Sequence, residues 1–281
     1  MNKQQLILII SGIVLFASLF FIGSNVGPKK PVVEQKGSMQ AQQAALDLDA
    51  YLAHATEHLP LRGQQFVTSL AQSVKRGDVK QQQIDVDKRL AAYWKDSAND
   101  AIAYFHYLDE AATLENSEKT LTFAAQSILG YLPYVDSLPQ RVWLANQSRE
   151  LFEKALVINP KNDSSTVGLG STYFYGAGDN PMAGIMKVRE VAERDSTNMF
   201  AQYMLGVGGL ISGQNEKALQ RFEKVAKAQP DNIEVLFKLA ETYETLGKKE
   251  EAIKWYQDIL SRTKLPDMRA ELQKRILQLK G

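Results

Sequence analysis

Cysteine is absent from this chain of 281 residues. That absence excludes a disulfide framework, a thiolate zinc site, a cysteine nucleophile and a lipidated N-terminal cysteine. An excess of charge of one sign is lacking as well: 33 Lys and Arg stand against 32 Asp and Glu, a formal net charge of +1. No run of Lys or Arg is longer than a pair, so nothing tracks a phosphate backbone and nucleic acid is excluded as a partner. Alternating strand patterns are missing beyond the N-terminal region, and so are a serine elbow and a Walker lysine. What remains is an ordinary globular composition, 44% apolar and 23% charged, long enough for one large folded unit or two small ones.

The N-terminus carries the longest uncharged stretch. From Leu6 to Val26 no charged residue occurs, and about 21 residues at roughly 1.5 Å each span on the order of 30 Å, the thickness of a bilayer's hydrocarbon core. This predicts a single transmembrane anchor in residues 1–26. A cleaved signal peptide would have a shorter apolar region, ending in small residues two apart, and that pattern is missing around Gly23 and Ser24. Residues 27–43, with Pro28, Pro31, Gly37, lysines and glutamines, are too polar and broken to bury anything and predict a flexible tether. The expected location is a bacterial inner membrane, crossed once. Lys3 on one flank, against Lys29, Lys30 and Lys36 on the other, leans slightly toward a cytoplasmic C-terminal part, with the periplasmic side as the alternative.

Beyond the tether the chain is predicted to be all-α. Leu46, Leu48, Tyr51, Leu52 and Ala55, then Phe66, Leu70 and Val74, then Ile84, Leu90, Ala91 and Trp94 recur at three- and four-residue spacings. The turns contain Gly, Asn or Pro, as in "RGD" from Arg76, "NPKND" from Asn159 and "QPDN" from Gln229. An internal repeat organises the second half. At an offset of 34 residues Leu205 falls on Leu239, Gly206 on Ala240, Gly213 on Gly247, Ala218 on Ala252 and Phe222 on Tyr256. At an offset of 36 the Leu-Gly pair returns upstream as Leu169 and Gly170. The two extra residues fall in the turn between Tyr175 and Pro181. "LFEKALVINPKN" from Leu151 repeats "RFEKVAKAQPDN" from Arg221.

Period and residue types together resemble the tetratricopeptide repeat (TPR) family, whose helix-turn-helix unit stacks into a right-handed solenoid. The unit from Ile233 matches through Leu239, Ala240, Tyr243, Gly247, Ala252 and Tyr256, with Pro266 two residues late. The resemblance covers residues 140–266. Residues 44–139 are a helical region in which Arg89 to Thr120 resembles a divergent repeat, and Met268 to Lys280, with Leu272, Ile276 and Leu279 on one face, predicts a capping helix in 267–281.

The register also settles the glycine-rich stretch "LGVGGLISGQ" from Leu205. It is no phosphate loop: no strand precedes it, the third fingerprint position is Ile211, and no nucleotide site results. Gly206 lets a neighbouring helix approach, Gly213 ends the helix in a left-handed residue, and Gly209 leaves the place of an aromatic open to a neighbour or a ligand.

For function, the resemblance implies a groove lined by first helices. The residues facing it are Val167, Ser171, Phe174 and Tyr175, then Phe200, Tyr203, Val207 and Leu210, then Phe237, Glu241 and Glu244. Aromatic anchors there would meet the apolar side chains of a peptide or partner helix, and the glutamates would meet a base. The groove residues also carry a second reading, packing between repeats, and alanine at Tyr203 and Leu210 separates the two: a groove role leaves the melting midpoint nearly unchanged. Ser171, Met204 and Glu234 stand where a basic clamp for a C-terminal carboxylate would be wanted, which argues against that ligand. The expected protein is thus a non-enzymatic, membrane-anchored scaffold or adapter for a protein partner, with no cofactor, similar in architecture to anchored TPR proteins of envelope assembly. The alternatives are a self-associating structural solenoid and a metal-dependent enzyme. For the latter only "HATEH" speaks, with His54, Glu57 and His58 in an H-x-x-E-H pattern close to a helix end before Pro60; His106, among aromatics, predicts packing.

Overall fold

The structure, a computed structural model, describes residues 45–73, 80–176 and 180–281. The predicted anchor at 6–26 and the tether at 27–43 lie outside the described residues. Among the described residues there is no strand, and no helix is long and apolar enough to cross a membrane.

The helices pack as successive neighbours along the chain. They are α1 Leu48–Glu57 with α2 Leu61–Ser73, α3 Lys80–Asp96 with α4 Ala101–Glu115, and α5 Glu118–Tyr131 with α6 Leu138–Ile158. Then come α7 Asp163–Thr172 with α8 Pro181–Arg194, α9 Met199–Ile211 with α10 Asn215–Ala228, α11 Ile233–Thr245 with α12 Lys249–Arg262, and the closing α13 Pro266–Lys280. Short 3-10 turns follow α5, at Leu132–Tyr134, and α7, at Tyr173–Tyr175.

The repeat in the sequence is a repeat of physical devices. Asn162, Asn198 and Asn232 each precede a first helix, and their side chains accept from the backbone N–H groups of Ser165, Ala201 and Val235. Those three caps keep the offsets of 36 and 34 residues seen in the apolar pattern. At the other end Gly213 and Gly247 both have φ of 72°, and the N–H of the next residue reaches back to the carbonyl of Gly209 or Tyr243. A left-handed residue closes these turns, and only glycine adopts it without steric cost.

Packing follows the same period. Phe222 and Tyr256 are fully buried, and each takes the ring of the preceding first-helix aromatic edge-on: Tyr203 on Phe222 at 5.6 Å and Phe237 on Tyr256 at 5.7 Å. Opposite them the first helix carries a small residue. A Cβ added at Gly206 would lie 2.7 Å from the Phe222 ring, and one at Gly184 would lie 2.3 Å from the Gly170 carbonyl oxygen. Backbone therefore meets backbone between α7 and α8. The place left open at Gly209 is closed by close approach of α10, since a Cβ there would lie 3.1 Å from that of Ala218.

One apolar cluster around Leu121, Ile128, Leu132, Leu144 and Phe152 runs from α4 to α7, so the helical region 44–139 shares its core with the first recognised repeat. A second cluster joins α10 to α13 through Leu239, Tyr256, Leu272 and Ile276, which seats the predicted capping helix on the last repeat.

Candidate partner-binding groove

First helices α5, α7, α9 and α11 leave two adjoining cavities between them. The larger, about 700 Å³, is walled by Pro133, Tyr134, Tyr175, Tyr203, Val207, Leu210, Ile211, Phe237, Glu241 and Met268, with Ile233, Glu234 and Lys238 completing it. The other, about 440 Å³, is lined by Leu129, Met199, Phe200, Met204, Asn232 and Val235 among others. Pro133, Tyr175, Tyr203 and Glu234 line both, so the two form one continuous groove. Its volume is of the size that takes several side chains of a bound segment.

Most of the sequence-predicted residues meet here. Tyr175, Tyr203, Val207, Leu210, Phe237 and Glu241 wall the larger cavity, and Phe200 lines the smaller. Four others are placed elsewhere. Val167 is fully buried in the cluster with Val188, Val191 and Met204. Ser171, also fully buried, donates its hydroxyl to the Val167 carbonyl at 2.7 Å. Phe174 packs into that same cluster, its ring 3.1 Å from where a Cβ of Gly208 would be. Glu244 is engaged inside the chain: it accepts from the Tyr256 hydroxyl at 2.9 Å and from Arg275 Nε of α13 at 2.9 Å, so it faces the cap and not a ligand. Tyr203 and Leu210 wall the groove and also pack against the buried clusters, which makes them structural as well as accessible.

The groove's polar groups are few and preset. Tyr203 donates its hydroxyl to Glu234 Oε1 at 2.7 Å, and burial together with this bond holds the phenol well above its ordinary range. Burial, and then the Glu234 and Tyr134 side chains, push the Tyr175 phenol up to about 12. Both tyrosines are therefore neutral hydroxyls under physiological conditions; the Tyr203 proton is already given to Glu234, which leaves Tyr175 as the hydroxyl able to donate to a backbone carbonyl. Glu241 is already paired with Lys238 at 2.9 Å, whereas Glu234 is exposed at the junction of the cavities. Glu234 is the carboxylate most open to a basic residue.

Sequence reasoning missed the turn that completes one wall. Pro133 and Tyr134 lie in the connection "GYLPYVDSLPQ", read only as a break between helices, yet Tyr134 is 71% exposed and its ring borders the cavity. An exposed aromatic in a proline turn was the available signal.

The H-x-x-E-H residues are not gathered into a metal-holding cluster among the described residues. His54, Glu57 and His58 are all exposed at the end of α1, the two imidazoles lie 4.2 Å apart, and His58 Nδ1 is 2.8 Å from the His54 carbonyl oxygen. Among the described residues no group of three or more His, Cys, Asp or Glu is placed to hold a metal. His106 is half-buried with its ring against Tyr107 at 4.7 Å, and burial lowers its pKa.

Comparison with known proteins bears on the fold. The family model described as Regulator of microtubule dynamics protein 1-3 matches residues 190–279, from the last turn of α8 through α13. No curated protein matches the chain. Among solved structures, a thermophilic TPR protein from Thermus thermophilus is 17% identical, with 71% of this chain and 100% of that chain covered and a TM-score of 0.51. A TPR protein from Parabacteroides merdae is 14% identical, covering 77% of this chain and 86% of that one, with a TM-score of 0.42. A MamA structure is 19% identical over 64% of this chain and 91% of that chain, with a TM-score of 0.41. With the caps, glycine turns and edge-on aromatic pairs recurring at the repeat period, the described chain has a TPR-like helical fold.

Proposed function

We propose that this protein is a non-enzymatic scaffold, tethered to a bacterial membrane through residues 6–26, whose groove takes an apolar segment of a protein partner. The observation that carries the reading is the continuity of the two cavities through Tyr175, Tyr203 and Glu234. Aromatic walls supply contact area at low entropic cost, the neutral Tyr175 hydroxyl supplies a donor, and Glu234 supplies one charge for orientation. The ligand class that fits is a helix or extended strand presenting apolar anchors with one Lys or Arg beside them. TPR-like relatives support protein binding in general, and the uncharged stretch from Leu6 to Val26 supports the anchor.

The reading is tested by co-purifying the full-length protein from crosslinked membranes in three forms: unchanged, Tyr134→Ala and Ile211→Ser. Both positions are exposed groove walls, at 71% and 56%. Loss of one discrete partner in both variants, with the melting midpoint unchanged, supports the groove; full retention in both overturns it. The orientation, cytoplasmic by the lysine count, is tested by alkaline phosphatase fused after Gly281, since that enzyme is active only where its disulfides form. A stable fusion without activity fits the proposal, and an active one places the C-terminal part outside. An envelope-assembly role is the process in which such an anchored scaffold would act.

A further inference from the structure

The glycine-rich stretch of α9 has an outer side that the groove does not use. There α8, α9 and α10 enclose a cleft of about 430 Å³, and four cations line it: Arg189 from α8, and Lys217, Arg221 and Lys224 from α10. No acidic side chain lines the cleft, and none of the four cations forms an ion pair among the described residues. The imbalance is local, because the whole chain has a net charge of +1. Its open apolar lining is Ile185 and Leu205, both only partly buried, and Gly208 beside them is itself buried.

Two features make the cleft more than a solvated basic face. Arg221 is half-buried, and its guanidinium donates to the Oε1 of Gln202, a side chain almost wholly buried; the arginine is therefore held in place before anything binds. Lys217, Arg221 and Lys224 also follow one another at four and three residues along one face of α10, a stripe about 10 Å long at roughly 1.5 Å per residue. A single phosphate cannot reach both ends of such a stripe. A lipid surface cannot enter a concave cleft to cover its floor.

From this charge complementarity we infer that the cleft formed by α8, α9 and α10 is a second interaction site that binds an acidic polypeptide segment. Carboxylates spaced along that segment meet Arg189, Lys217 and Lys224, and an apolar residue between them rests on Ile185 and Leu205. The site lies on a different side of α9 from the groove and does not depend on it. A scaffold with both could hold two segments at once.

The test uses the full-length protein in detergent micelles. Its probe is a fluorescein-labelled peptide with aspartates flanking a central leucine, compared with the same peptide carrying asparagines. Binding is read by anisotropy at low salt, where exposed charges are least screened. The expected result is binding of the aspartate peptide, binding of the asparagine peptide at least tenfold weaker, and a Kd that rises steadily with salt. Combined Arg189→Gln, Lys217→Gln and Lys224→Gln should weaken the aspartate peptide about tenfold, since three exposed pairs each contribute a factor of roughly 1.4 to 5. All three side chains are exposed, so the variant should melt with the wild type. Glu234→Gln in the groove should leave this peptide's affinity unchanged, which separates the two sites. Equal binding of both peptides, no binding of either, or an unchanged Kd in the triple variant would overturn the inference. So would displacement of the peptide by inorganic phosphate at matched ionic strength, which means a small-anion site, or charge-dependent sedimentation with phosphatidylglycerol vesicles in the absence of peptide binding.

Discussion

Replacing Tyr203 by alanine separates groove lining from packing. Its ring sits edge-on to the buried Phe222 ring at 5.6 Å and contacts two buried clusters. Truncating a fully buried aromatic costs about 3–5 kcal/mol, and the part of this ring open to the groove reduces the expected loss to about 2–3 kcal/mol. For a folded unit of this size one kcal/mol moves the midpoint by about 2–4 °C, so the melt followed by circular dichroism at 222 nm should fall by about 5–10 °C. Tyr134→Ala, in the same cavity wall and 71% exposed, should stay within about 2 °C, since surface substitutions rarely exceed about 0.5 kcal/mol. Tyr203→Phe isolates the hydroxyl: it keeps the ring, frees an exposed Glu234 to water, and should cost about 0.5–1 kcal/mol. If Tyr203→Ala melts with the wild type, the ring is not packed and the wall it forms is looser than described.

Three further outcomes follow. Gly184→Ala forces a Cβ to within 2.3 Å of the Gly170 carbonyl oxygen, and the overpacking of about 1–3 kcal/mol should outweigh the gain of roughly 1 kcal/mol in helix propensity, lowering the urea midpoint at an unchanged slope. Gly130→Ala, with nothing within 4 Å of the added Cβ, should instead raise that midpoint slightly. Burial raises the Asp109 carboxyl to about 6, against the partial offset of Lys154. A raised carboxylate pKa means that the native state holds the proton more tightly than the unfolded chain does, so this group penalises stability above about pH 6 and the penalty is relieved between about pH 6 and 4. Asp109→Asn should therefore stabilise by about 1–2 kcal/mol at pH 8 and by nothing measurable near pH 4, read from urea midpoints at the two pH values; equal gains at both would refute the assignment. His106 works in the opposite sense in the same window, because its buried imidazole must gain a charge as the pH falls, and it is common to both proteins in that comparison.

The parts of the fold legible in the sequence are those set by local chemistry repeated at a fixed period. Asn caps, left-handed glycines, and the Phe222 and Tyr256 positions obey the 34- and 36-residue offsets because each satisfies the same backbone or packing need in each unit. The groove was legible where that register holds, at Tyr203, Val207, Leu210 and Phe237. It failed in α7, which ends at Thr172 and passes into a 3-10 turn of about three residues per turn. The register carried over from α9 therefore misplaces Phe174. It also misplaces Val167 and Ser171, which are enclosed by packing that no periodicity reports. Glu244 failed for a different reason: its partner Arg275 lies 31 residues away on the capping helix, and a pairing at that distance leaves no local trace. The basic cleft was hidden the same way, since Arg189 joins the α10 stripe only when α8 and α10 are brought together over the glycines of α9.

Photocrosslinking from inside the groove tests directly whether a partner's polypeptide occupies it. A benzophenone side chain placed at Tyr134 or Ile211 reports on the groove, and one at Val157, 83% exposed at the end of α6 and outside both cavities, serves as control. Irradiation of intact membranes should give the same single heterologous adduct from both groove positions and none from Val157. Adducts of equal intensity from Val157, no adduct from the groove, or a groove adduct composed only of a second copy of this chain would contradict the account.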